Sequence, residues 1–149
     1  MDLLVVCLLL VASATSVFSS LDSEPWLDWR LSGDIHPRDY DLFLQPDVWK
    51  REFDGTVSIQ MTVRKETKFL VVNAARLNVS EVHIFVNETT QLSVVRSFTY
   101  ETNDYFVVET EELMMIGDVK VIMTFRGILQ HLTGVMSNGY TNVTTGEHR

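Results

Sequence analysis

Asp54-Gly55-Thr56-Val57-Ser58-Ile59-Gln60-Met61-Thr62-Val63 decides the fold. After the turn pair Asp54-Gly55, Val57, Ile59, Met61 and Val63 fall on one side of an extended chain and Thr56, Ser58, Gln60 and Thr62 on the other, because strand side chains alternate with a period of two. One apolar and one polar face marks an antiparallel strand with a core on one side. Upstream, Tyr40-Asp41-Leu42-Phe43-Leu44 carries a similar alternation. The polar connection that holds Pro46-Asp47 and closes on Asp54-Gly55 is long enough to reverse the chain, so the two runs are expected to pair.

Further runs follow downstream. Val82-His83-Ile84-Phe85-Val86 alternates, and Asn87-Glu88-Thr89-Thr90-Gln91 reads as a turn. Leu92 to Tyr100 and Tyr105 to Glu109 read as a strand pair joined by the small polar residues Glu101-Thr102-Asn103-Asp104. In Asp118 to Arg126, Val119, Val121, Met123 and Phe125 share a face opposite Lys120, Ile122, Thr124 and Arg126. The class implied is all-β, an antiparallel sandwich. Ahead of these runs, Pro25, Trp26 and Trp29 lie in a polar approach segment; their rings are expected to cover the edge of a sheet, with ligand stacking as the alternative.

The chain has 149 residues, 12 Lys+Arg against 20 Asp+Glu, and a formal net charge of -8. With no basic stripe to neutralise phosphates, a nucleic-acid binder is excluded. Leu3 to Ala12 is an apolar run followed by Ala12-Ser13-Ala14, a small-x-small cleavage pattern, and it is too short to span a bilayer. Residues 1–20 are therefore read as a secretory signal peptide, although Asp2 departs from the usual positive start. An uncleaved anchor extended through Phe18, or a core segment, are the alternatives. Cleavage falls after Ala14 or near Ser19-Ser20. The single cysteine, Cys7, lies in this leader, so residues 21–149 contain no thiol for a disulfide, a CxxC metal site or a nucleophile. About 130 residues make one domain that could bury roughly two-thirds of its unfolded surface.

Arg30-Leu31, Ile35-His36-Pro37, Tyr40-Asp41-Leu42 and Pro46-Asp47 together resemble the entry into the N-terminal β domain of the zinc-dependent aminopeptidase N family, with Ser32 where that family usually has proline. Phe53-Asp54-Gly55-Thr56-Val57 is similar to its Phe-x-Gly-x-Val strand start. Thr67-Lys68-Phe69-Leu70-Val71-Val72-Asn73 is similar to its next strand, with Asn73 in the usual histidine position. Leu77-Asn78-Val79 and Val82 match the short strands after it, and Leu113 to Gly117 its leucine-x-x-Gly turn. Phe125-Arg126-Gly127-Ile128-Leu129 resembles its Phe-x-Gly-x-Leu, and Gly134 and Tyr140 keep their places in its Gly-Phe-Tyr-x-Ser-x-Tyr segment, where Met136 replaces the first tyrosine. The resemblance implies a sandwich or saddle-like domain whose last strands lie beyond Arg149. It also implies an open sheet edge at which a catalytic domain or another chain could pair.

That family's hydrolysis uses a His-Glu-x-x-His helix for zinc and a Gly-x-Met-Glu-Asn segment for the substrate amine. Neither motif occurs here. None of His36, His83, His131 and His148 is followed by glutamate, and no pair has i, i+4 spacing. The reading is thus no catalytic residue, no metal and no cofactor in this chain, zinc belonging to full-length relatives. The histidine of the Val82–Val86 run is read as solvent-facing rather than a ligand, and Glu109, Glu111 and Glu112 as a solvated strand end rather than paired-carboxylate chemistry. Three N-glycosylation sequons remain, at Asn78, Asn87 and Asn142; Asn87 is expected to be the best acceptor because it sits in a turn, and Asn78 to be shielded if its short strand is covered. The function implied is a non-catalytic scaffold or interaction domain, secreted or lumenal. A piece of a longer active metallo-aminopeptidase and an independent β-sandwich binding module are the alternatives.

Overall fold

The computed structural model describes residues 24–87, 89–129, 135 and 143–146. Eight strands follow in order: β1 (Ile35–Asp47), β2 (Glu52–Val63), β3 (Thr67–Asn73), β4 (Leu77–Val86), β5 (Thr90–Leu92), β6 (Val94–Tyr100), β7 (Tyr105–Met114) and β8 (Gly117–Ile128). They form a five-stranded sheet in the order β1-β2-β8-β4-β5 and a three-stranded sheet in the order β3-β7-β6. Every pairing is antiparallel. The all-β expectation holds.

The expected pairing of the first two runs is present, with Leu42 opposite Val57 and Tyr40 opposite Ile59. The hairpin closes earlier than the sequence suggests. Asp54 and Gly55 are not a turn; they lie inside the ladder, opposite Gln45 and Leu44. Asp47 makes the reversal instead, because its carboxylate Oδ1 accepts the backbone N–H groups of Trp49 and Lys50, both at 3.1 Å. Such an Asx arrangement bends the backbone locally, and Arg51, at φ 58°, completes the turn.

A second difference concerns Leu92 to Tyr100. This run divides between the two sheets: β5 pairs with β4, and β6 with β7. The crossing point is Ser93, whose N–H donates to the Glu112 carboxylate at 3.0 Å and whose carbonyl accepts the Glu111 N–H at 2.9 Å. The acidic end of β7 therefore has a structural task. Glu109 on the same strand pairs with Arg96 of β6. The Glu101–Asp104 connection is a hairpin loop as expected, a single 3₁₀ turn closed by Asp104 in the left-handed region at φ 55°.

The two sheets face each other across one core. Val57, Ile59, Met61 and Val63 of β2 and Val119, Val121, Met123 and Phe125 of β8 are buried in it, with Leu70, Phe106 and Val108 from the other sheet. Each such side chain contributes roughly 1.5–3 kcal/mol by leaving water. The outer face of the three-stranded sheet is also apolar and has its own lid: Trp26 packs edge-on against Phe69 and Phe98 beside Tyr105 and Val107. The ring covers a sheet face, then, and not an edge as the sequence suggests. Trp29 does not share this task, since its ring is 80% exposed.

Candidate functional site

Strand β1 is where the packing is incomplete. Its register with β2 puts Tyr40 and Leu42 on the same inner face as Ile59 and Val57. On β2 those positions are buried, yet Tyr40 is 62% and Leu42 55% exposed. Between this inner face and the facing side of β3 lies an open groove of about 700 Å³, walled by Leu31, Tyr40, Leu42 and Phe53 on one side and by Leu70 and Val72 on the other. Asp34, Asn73, Arg76 and Asp104 also line it. The groove thus has an apolar floor with a few polar groups around it.

No sequence signal separates Tyr40 and Leu42 from core residues. Strand periodicity assigns a face, and whether a second layer covers that face depends on where the other sheet stops.

The residues singled out for chemistry stay apart. Among the described residues no three His, Cys, Asp or Glu side chains converge on a point where a metal ion could sit. His36 and His83 are both exposed, and His83 Nδ1 lies 3.2 Å from the Gln91 amide on the neighbouring strand. His131 and His148 are outside the described residues.

Of the three sequons, Asn78 is exposed on β4 and Asn87 is exposed at the β4–β5 turn with φ 50°, a conformation asparagine tolerates. Asn142 lies outside the described residues, as do residues 1–20 with the expected leader.

The outer face of the five-stranded sheet is polar, and its clearest electrostatic feature is exposed. Arg126 donates from Nε to Asp54 Oδ1 at 2.8 Å and from Nη2 to Oδ2 at 3.3 Å. That two-pronged contact holds the Asp54 carboxyl below its ordinary value of 3.8 and raises the guanidinium's own. A carboxyl whose folded-state value is depressed adds stability above the unfolded value and loses it as pH falls through the folded one. In Arg126→Gln the Asp54 titration, followed by NMR of its side-chain carboxyl carbon, is therefore expected to move up toward 3.8. An unchanged midpoint would remove the guanidinium as the cause.

What the fold and site define is a class: an antiparallel two-sheet β domain with an apolar inner strip left open among the described residues. The chain belongs to the peptidase M1 N-terminal domain family, whose family model matches residues 36–149. It is 30% identical over 134 residues to glutamyl aminopeptidase of Bitis rhinoceros, covering 86% of this chain and 14% of that protein. Identity to aminopeptidase M1 of Arabidopsis thaliana is 30% over 107 residues, 72% of this chain and 11% of that protein. Glutamyl aminopeptidase of Homo sapiens is 29% identical over 126 residues, 80% of this chain and 13% of that protein. The chain thus spans about a seventh of the length of the first of these relatives. Among the described residues no helix is long and apolar enough to cross a membrane.

Proposed function

We propose that this chain is the non-catalytic N-terminal domain of an M1-type metallo-aminopeptidase, and that it works by seating the rest of such a polypeptide, or a partner chain, against the inner strip of β1. The observation that carries this reading is the pair Tyr40 and Leu42, in register with buried core residues and yet more than half exposed. Large apolar side chains on a core face that no layer among the described residues covers favour a further protein surface over water, at roughly 25 cal/mol per Å² removed from solvent. The match of residues 36–149 to a model of an N-terminal domain supports a structural role for these residues. The apolar leader supports entry into the secretory pathway, which places the domain in the lumen or outside the cell.

Two measurements test this. The purified chain, incubated with zinc and aminoacyl chromogenic amides, is expected to release no chromophore above the rate of the free metal; zinc-dependent removal of N-terminal residues would overturn the non-catalytic reading. The double variant Tyr40→Glu/Leu42→Glu is expected to unfold within about 0.5 kcal/mol per site of the parent, because both side chains are already largely in water. The parent chain is expected to self-associate at high concentration through the open strip, and the variant to do so at least tenfold more weakly by sedimentation velocity, which corresponds to about 1.4 kcal/mol. Loss of the fold in that variant would show that the strip belongs to the core and not to an interface.

A further inference from the structure

We propose that Asn78 is an N-glycosylation site whose oligosaccharide covers the outer face of the five-stranded sheet, on the side opposite the β1 groove. The proposal rests on the secretory reading given above and adds a residue and a face to it. Asn78, the second residue of β4, is exposed and stands across from Arg126 of β8. Asparagine is a poor strand former, and here it stands exposed on the polar side of β4. This amide has no hydrogen-bond partner among the described residues. Val79 between the two sequon positions points the other way and packs partly against the core, which fixes the face on which Asn78 stands. Ser80, the acceptor-motif hydroxyl, is exposed, and it lies where the β4–β8 register shifts between Val79 and Glu81.

The surroundings accept a bulky, hydrated substituent. Across the ladder from Asn78, the side chains on this face are the exposed Arg126 and, beyond it, Asp54. A glycan here displaces water and no packed side chain, and it stays clear of the groove that holds Tyr40 and Leu42.

The step is a group transfer. Asn78 Nδ2 forms a bond to C1 of the first sugar of a lipid pyrophosphate-linked oligosaccharide, the C1–O bond to phosphate breaks, the lipid pyrophosphate leaves with the electron pair, and the amide nitrogen gives up one proton. In the folded chain the Ser80 hydroxyl donates to the Thr124 carbonyl at 3.2 Å, and β4 is held in its ladder with β8. Transfer therefore belongs to the interval before β8 emerges and pairs, when the Ser80 hydroxyl is free.

The full chain would be expressed in eukaryotic cells behind its own leader and, separately, behind a heterologous secretory leader, with both cell-associated and exported protein collected. Peptide N-glycosidase treatment in ¹⁸O-labelled water converts an occupied asparagine to labelled aspartate, which peptide mass spectrometry locates. Most molecules carrying the heterologous leader are expected to be labelled at Asn78, and Ser80→Ala is expected to cut that labelling at least tenfold while the far-UV spectrum stays that of a β protein. Asn78 left unmodified in chains labelled at Asn87 or Asn142 would overturn the site, as would labelling that survives Ser80→Ala. Labelling behind the heterologous leader but not behind the chain's own would leave the site standing and refute the secretory reading of residues 1–20.

Discussion

Trp26→Ala is expected to remove about 3–5 kcal/mol of unfolding free energy, the range for truncating a large buried aromatic side chain. The companion change Trp29→Ala is expected to stay within about 0.5 kcal/mol. The two tryptophans are three positions apart in one segment, and the difference follows from what each ring touches. Trp26 is 5% exposed. Its ring meets Phe69 at 5.1 Å and 78° and Phe98 at 5.3 Å and 89°, two edge-to-face contacts that join the outer strands of the three-stranded sheet across β7. The Arg96 guanidinium adds a cationic group 6.0 Å from the same ring. Around it, Asn103 Nδ2 donates to the carbonyls of Trp26 at 2.9 Å and Asp28 at 3.1 Å, and Tyr105 Oη donates to that of Trp29 at 3.0 Å. Removing the indole opens the lid, wets Phe69, Val107 and Phe98, and loosens the backbone those bonds hold. Against a typical total of about 5–15 kcal/mol this is a large share, and the melting temperature should fall by on the order of 10 °C. Far-UV circular dichroism with urea is the suitable readout, since indole fluorescence changes with the substitution itself. Equal stability of the two variants would mean that the segment is not part of the folded unit and that ligand stacking deserves renewed weight.

The same contrast shows what sequence could and could not supply. Alternation assigned the inner residues Val57 to Val63 of β2 and Val119 to Phe125 of β8, because a period of two has one solution once a core exists; the inner positions Phe53, Gly55 and Gly127 were not assigned. The β6–β7 hairpin was equally legible from its short polar connection. Partner choice was less so. Nothing local says that β3 joins β7, or that the chain changes sheet at Ser93, since both depend on side chains far along the sequence such as Glu112. Asp54-Gly55 misled for a related reason: the pair is a common turn signal, but a glycine can also be demanded by a neighbour's bulk, and the neighbour here is seventy residues further on, about half the chain away. The β1 strip was legible as apolar and not as uncovered. The missing information in each case is tertiary, the extent of one sheet relative to the other.

Gly55 and Gly127 carry the second large prediction, and the signal for it was present in the sequence as a motif that occurs twice. Phe53-x-Gly55 and Phe125-x-Gly127 lie on adjacent antiparallel strands, so the register sets Phe53 opposite Gly127 and Phe125 opposite Gly55. The far end of each ring lies over the other strand's glycine, and the two rings meet edge-on at 6.4 Å and 80°. A β-carbon on Gly55 would stand 2.5 Å from Phe125 Cε2 and Cζ and 2.8 Å from Leu44 Cδ2, and one on Gly127 would run into Cζ of Phe53. Gly127→Ala is therefore expected to cost about 1–3 kcal/mol as overpacking, and Phe53→Ala about 3–5 kcal/mol as a cavity. In the double variant the clash has no ring to meet and the new methyl group occupies part of the hole, so the combined loss should fall short of the sum by about 0.5–3 kcal/mol. Urea denaturation of the four proteins in this cycle measures the coupling directly. Additivity within about 0.5 kcal/mol would place the two residues outside each other's reach, and the crossed Phe-Gly arrangement would then not be what fixes the β2–β8 register.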